Sequence, residues 1–414
     1  EKDLLTEDII DKSIKRLFNA RFRLGIFDPP EIVPYAQIPF EVNDCEKHRD
    51  LARKAARESI VLLKNENNIL PLNKNIKSIA IIGPNADHLD VLLGNYNGIP
   101  SKYTTPLQGI KNVASPETEV YYAKGCPLKE KSTDDFNEAI EISKKSDVVI
   151  MVLGISPRIE SEEGEAVESD LRGDRIHLNI PEIQEELLKE IHNIGKPIIL
   201  VLTSGSALSV NFAKENVPAI LEAWYLGEEG GAALADVIFG DYNPAGRLPV
   251  TFYKSVNQLP DFHDYSMVGR TYRYFKDEPL FSFGYGLSYT KFKYNNLQIS
   301  PSKVKTDEKT NVSVDIENIG GRLGDEVVQL YLNKGLISSQ APIRELQGFK
   351  RITLKKGERK TVSFTLIPEQ FSIFNENGEQ IIQPGEIFIT VGGCQPGYSE
   401  TSINIVKGSF KIIK

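Results

Sequence analysis

The chain has 414 residues, 40% hydrophobic and 26% charged, enough for two or three domains with cores of their own. A formal net charge of −8 with no basic block argues against a nucleic-acid partner, and no apolar run reaches the roughly 18–20 residues that span a bilayer. Cys45, Cys126 and Cys394 lie far apart and form neither a disulfide framework nor a zinc-ligand spacing, which implies a reducing, cytoplasmic setting.

The first residues, "EKDLLTEDII", begin with charge and have no apolar h-region, so they do not read as a signal peptide. They read as a helix over 4–23. Thr6 and Asp8 supply a cap and first turn, and Ile10, Ile14, Leu17, Phe18 and Phe22 follow helical spacing. Gly25 and the Pro29–Pro30 pair stop it. Its apolar face must be buried on the next domain or on a domain outside this chain, so 1–44 reads as a helix and linker.

Residues 45–255 alternate helix and strand signals. The spacing predicts a helix over 45–65, with Leu51, Ala55, Ile60 and Leu63 near one face. "IAIIG" (79–83), "DVVIMVLGI" (147–155), "PIILVLT" (197–203) and "VPAILEAWY" (217–225) read as buried strands. Helices over 133–146, 180–195 and 228–240 separate or follow them, with Pro181 suited to a first turn. Uniformly apolar strands between helices predict a mostly parallel sheet covered on both faces, an α/β sandwich.

From 295 to 414 the pattern changes. "TNVSVDIENIG", "DEVVQLYLN", "RELQGFKRITL", "RKTVSFTLI", "FSIFN" and "GEIFITVGG" alternate in character, with turn signals such as "KKGE" and "NENGE" between them. Short strands at this spacing predict an all-β sandwich of the fibronectin type III kind. Residues 256–294, rich in aromatic residues and glycine, connect the two domains.

Several motifs are structural. "IIGPNA" opens like a nucleotide fold but contains no glycine-rich phosphate loop. "SGSALSV" (204–210) is not a G-x-S-x-G nucleophile elbow and reads as a turn. The five histidines form no H-E-x-x-H, so no metal site is expected. The exception is "RIESEEGEAVESDLRGDR" (158–175), with five glutamates and two aspartates. On composition alone it is a solvated loop. However, it follows a buried strand directly, at the strand's carboxyl end, where open α/β sheets bind ligands. Crowded carboxylates also push one another's proton affinities apart, so one of them can stay protonated and act as an acid. Arg158, Arg172 and Arg175 stand ready to balance the other charges.

The motifs "RESIVLLKNENNILPL" (57–72), "GNYNGIPSKYTTPLQGI" (94–110), "ADVIFGDYNPAGRLPVTF" (235–252), "TYRYF" (271–275), "FSFGYGLSYTKF" (281–292) and "IRELQGFKRI" (343–352) resemble glycoside hydrolase family 3 from end to end of the chain. "YTTPLQGI" with "GNYNG" is most similar to the β-xylosidase and α-arabinofuranosidase branch, and β-glucosidases share much of the rest. The resemblance implies a (β/α)8 barrel, a six-stranded α/β sandwich and a fibronectin-like domain. The barrel's nucleophilic aspartate stands in an S-D-W or similar context. This sequence has only "KSD" at 145–147 and no room for eight β/α units, while "IKRLFNARFRLGIFDPP" (14–30) resembles the segment that leaves the barrel. The barrel is then either truncated or carried on another chain, and it is the expected partner in cis or in trans.

In the family the acid/base glutamate sits in S-G-E-G before a D-R pair. Matched directly to "SEEG", it is Glu163. Matched through an E-x-E pattern on Glu160 and Glu162, it is Glu162, with Glu160 the remaining candidate. The resemblance implies retaining hydrolysis of terminal β-linked sugars, most of all β-1,4-xylosides in xylo-oligosaccharides, without metal or organic cofactor. A β-glucosidase and a non-catalytic carbohydrate-binding or scaffold module are the alternatives. The oligomeric state stays open.

Overall fold

The computed structural model describes residues 5–160, 175–335, 341–375, 377–398 and 405–414. The chain divides into a small unit, residues 1–51, and a large one, residues 52–414. In the small unit α1 (Glu7–Arg23) carries Glu7 and Asp8 in its first turn and Arg21 and Arg23 in its last, each sign opposing the helix dipole. No residue of α1 is buried: the Ile10, Ile14, Leu17 and Phe18 stripe stays exposed, and Phe18 stacks on Phe27 at 5.8 Å.

The large unit begins within α2 (Glu46–Ser59) and continues into β1 (Val61–Asn65). Here the structure corrects the sequence reading, which extended the helix to residue 65. "IVLL" is four consecutive apolar residues, and all four are buried, with none left to face water as an amphipathic helix requires. β1 instead pairs antiparallel with β6 (Ala219–Glu222).

The remaining strands are β2 (Ser78–Ile82), β3 (Glu119–Ala123), β4 (Val148–Gly154) and β5 (Ile198–Thr203). They complete a six-stranded sheet of order β1-β6-β5-β4-β2-β3 in which β2 to β6 are parallel. α3 (Asp90–Leu93), α4 (Pro106–Val113), α5 (Phe136–Lys145), α6 (Glu182–Asn193), α7 (Asn211–Asn216) and α8 (Gly230–Ile238) complete the domain. Val149, Met151, Leu153, Leu200 and Leu202 pack with Phe136 of α5 and Ile183, Leu187 and Ile191 of α6. Their strand neighbours Val148, Ile150, Val152, Ile199 and Val201 pack with Leu107 and Ile110 of α4 and Leu234 and Ile238 of α8. Both faces of the central strands are therefore dry, as expected for strands without polar alternation.

The second domain is the expected all-β sandwich. Its strands are β7 (Phe292–Ser300), β8 (Lys303–Val304), β9 (Thr310–Asn318), β10 (Gly324–Asn333), β11 (Glu345–Leu354), β12 (Arg359–Leu366), β13 (Ile373–Phe374), β14 (Gln380–Ile381), β15 (Gly385–Gly392) and β16 (Ile405–Ile412). A sheet of order β11-β10-β15-β16-β8 faces one of order β12-β9-β7. Val312, Val314 and Ile316 point inward at every second position of β9 and meet Val328, Leu330, Ile387 and Ile389.

A buried ion pair joins the sandwich to the α/β domain. Arg247 Nη2 lies 3.2 Å from Glu326 Oε2, and Tyr294 donates to the other carboxylate oxygen at 2.8 Å. Arg247 Nε also donates to the carbonyl of Gly393. Burial pushes the Glu326 carboxyl up, and Arg247 pulls it back. Removing one partner strands the other charge in the interface. We expect Arg247→Ala to destabilise the protein by about 3–5 kcal/mol in urea unfolding, and Arg247→Met with Glu326→Leu to recover most of that loss.

Candidate functional site

Three neighbouring parallel strands, β4, β5 and β6, end side by side, and the turns that follow them hold a polar cluster. After β4 the chain must cross close to β5. A Cβ on Gly154, whose φ is +133°, would lie 2.2 Å from the carbonyl oxygen of Thr203, so only glycine fits there. Asn85, in the turn after β2, donates to Thr203 Oγ1 at 2.7 Å and ties a fourth strand end into the same layer.

The crossing chain delivers Glu160. Its carboxylate accepts from the backbone N–H of Gly205 and the hydroxyl of Ser206, both in the turn after β5. It also accepts from the phenol of Tyr225, after β6, at 2.7 Å. Gly205 leaves space for this: a Cβ there would stand 3.0 Å from Glu160 Oε1 and 3.2 Å from the Tyr225 ring. Arg175 Nε lies 3.9 Å from Glu160 Oε2, with the two side chains only 12% and 15% exposed, and its Nη2 donates to Ser206 Oγ and to the carbonyl of Ala207. Burial first, then the charge of Glu160, pushes the Tyr225 phenol far above its ordinary range, so it remains a donor.

A second carboxyl lies beneath. Glu222, the last residue of β6, is fully buried. Its Oε1 accepts from the N–H of Trp224 at 3.0 Å and from Ser204 Oγ at 3.3 Å, while Oε2 has no hydrogen-bond partner among the described residues. Burial raises this carboxyl well above the carboxylate range, Glu160 adds to the rise, and the two donated hydrogen bonds oppose it. Trp224 has φ +55°, a left-handed conformation costing about 1–3 kcal/mol in a bulky residue. Its N–H bond to Glu222, its indole bond to the Ser59 carbonyl and its edge contact with Phe252 hold it there and turn Tyr225 toward Glu160.

Glu163 and Glu162, the expected acid/base candidates, lie outside the described residues, as does Arg172; the segment that carries them runs between Glu160 and Arg175. Arg175 meets Glu160 as charge balance requires, whereas Arg158 pairs with Asp90 at 3.2 Å. A groove of about 550 Å³ opens beside the cluster, lined among others by Ile159, Arg175, His177, Lys129, Lys131 and Glu182. Among the described residues, no group of three or more His, Cys, Asp or Glu side chains is placed to hold a metal. The sequence reading set the turn of Ser206 aside as structural and assigned no role to Glu222 or Tyr225. Their only signal is position, within three residues of the end of a buried strand.

The buried acid of Glu222 makes stability depend on pH with a definite sign. Its folded pKa lies above the unfolded value of about 4.3. The stability it contributes is therefore fully present below that value and is lost as pH rises through the folded pKa. Glu222→Gln keeps the shape and removes the titration. Thermal melts from pH 4 to 9 should show the variant matching the parent at pH 4 and exceeding it at pH 8; equal pH slopes would contradict the assignment.

Comparison with known proteins gives the same architecture. Residues 60–289 match the model of the glycosyl hydrolase family 3 C-terminal domain, and residues 326–395 match that of a fibronectin type III-like domain. A β-xylosidase from Formosa agariphila is 40% identical over 92% of this chain and 53% of its own length. A periplasmic β-glucosidase from Salmonella typhimurium is 35% identical over 98% of this chain and 55% of its own. The solved structure of a β-glucosidase from Erythrobacter marinus superposes with a TM-score of 0.84 at 35% identity, over 99% of this chain and 56% of that one. The chain thus spans about half the length of these relatives. With more than half of its residues matched by the family's own model, the chain belongs to glycoside hydrolase family 3.

Proposed function

We propose that this chain supplies the proton-transferring half of a retaining β-glycosidase, with Glu163 or Glu162 as the acid/base. The observation that carries this reading is where the acidic segment is rooted. Both its ends, Glu160 and Arg175, are fixed at the carboxyl edge of β4, β5 and β6. A (β/α)8 barrel, in cis or on another chain, supplies the nucleophilic aspartate. That aspartate attacks the anomeric carbon while the glutamate protonates the departing oxygen. Water then resolves the glycosyl-enzyme with the same glutamate acting as base, and the configuration is retained. The two carboxyl groups must sit about 5–5.5 Å apart, so the barrel has to dock against this domain.

The substrates in this reading are terminal β-1,4-xylosyl units, supported by the β-xylosidase relative and by the "GNYNG" and "YTTPLQGI" motifs. β-Glucosides are the second reading, supported by the β-glucosidase relatives.

Two outcomes follow. The 414-residue chain alone should not turn over aryl β-xylosides or β-glucosides at an enzymatic rate, because a general acid alone contributes about 10²–10⁴-fold. Turnover at a full enzymatic rate by the purified chain would contradict the division of labour. With the chain joined to a barrel, alanine at the true acid/base position, Glu163 or Glu162, should slow poor leaving groups by about 10²–10⁴-fold and activated phenols much less. With activated phenols, azide should then rescue the slowed second step by attacking the glycosyl-enzyme in place of water, yielding a β-glycosyl azide. Normal rates and leaving-group dependence in both Glu163→Ala and Glu162→Ala would reduce the segment to a solvated loop or a non-catalytic module.

A further inference from the structure

Glu160 shares the acidic run with the proposed proton donor but differs from it in surroundings. A general acid must release its proton to the substrate and recover it, which requires an oxygen free to reach the leaving group. Glu160 has both oxygens engaged. Oε1 accepts from the Gly205 N–H and the Tyr225 hydroxyl, and Oε2 accepts from Ser206 and faces the Arg175 guanidinium. Every partner donates, so both oxygens are held as acceptors. The partners come from the turns after β5 and β6 and from the far end of the acidic segment.

We propose that Glu160 is a positioning residue: it clamps the start of the acidic segment to the ends of β5 and β6 and to Arg175, so that the proton donor two or three residues further on starts from a fixed point. Ser204 extends the clamp, because its hydroxyl lies within bonding distance of both the Ser206 carbonyl and Glu222 Oε1. The buried carboxyl of Glu222 thus backs the turn that grips Glu160. The inference rests on the proposed acid/base role of Glu163 or Glu162 and adds a separate job for the third glutamate.

The test uses the chain joined to its barrel and compares Glu160→Gln and Tyr225→Phe with Glu162→Ala and Glu163→Ala. A positioning role predicts that Glu160→Gln lowers kcat on poor leaving groups by roughly 10–100-fold, as displacement of a reacting group by about 1 Å does. The alkaline limb of the pH profile should survive, because the acid is still present. It should move to lower pH, because removing a neighbouring negative charge makes that acid easier to ionise. Azide should give no glycosyl azide. Tyr225→Phe, which removes one hydroxyl, should reproduce a smaller loss, and it decides the matter if Glu160→Gln does not fold. Loss of the alkaline limb with azide rescue in Glu160→Gln would overturn the proposal by making Glu160 the proton donor. Unchanged rates and profiles in both Glu160→Gln and Tyr225→Phe would overturn it by making the contacts irrelevant to catalysis. Failure of the underlying reading is separate: it appears as normal leaving-group dependence in Glu162→Ala and Glu163→Ala.

Discussion

The structure depends on one constraint: the central strands are buried on both faces. Along β4, Val148 to Leu153 alternate between two hydrophobic clusters and none is more than 2% exposed. Such a strand cannot display a polar side chain along its length without burying an unpaired group. Polar chemistry is therefore confined to the edges of the sheet, and parallel strands place all their carboxyl ends on one edge. Glu160, Ser204, Gly205, Ser206 and Tyr225 follow the strand ends at that edge, and Glu222, the last residue of β6, is buried against them.

The same edge carries the local departures from low energy. Glu222 lies deep enough to be driven toward its neutral form, Trp224 holds a left-handed backbone, and Gly154 permits an approach that no side chain allows. Each departure is surrounded by contacts that fix it: two donors on Glu222, the Ser59 carbonyl and Phe252 against Trp224, and the neighbouring strand over Gly154. Strain of this kind, gathered at one sheet edge around a carboxylate, is characteristic of functional sites rather than of packing alone. The Arg247–Glu326 pair and the Gln329 side chain, which donates to the carbonyls of Gly284 and Gly393, attach the sandwich to the sheet domain.

The strands β2, β4, β5 and β6 were legible because apolar runs of that length between helices have few other readings. β9 and β10 were legible from alternation. Residues 60–65 were not, because Ile60 and Leu63 continue the helical spacing of α2 by coincidence, and only their complete burial reveals a strand. β3 was missed for the opposite reason: as an edge strand it is half exposed, and "EVYYA" offers neither an apolar run nor strict alternation. At the site, the acidic run could be read as a feature but its members could not be told apart. What distinguishes Glu160 is Ser206 and Tyr225, 46 and 65 residues away, which only the parallel register brings within reach. Glu222 looks in sequence like one polar residue ending a strand, and its burial beneath Glu160 is a tertiary fact.

The central claim is that the acidic segment rooted at Glu160 presents the proton donor to the sugar, and chemical labelling tests it most directly. An N-bromoacetyl β-xylosylamine places an alkylating carbon where the leaving group would sit, so it marks the carboxylate that protonates that group. With the chain joined to its barrel, the account predicts inactivation and a single ester on Glu163 or Glu162 by peptide mapping. An ester on Glu160, or inactivation with no label between residues 158 and 175, would contradict it.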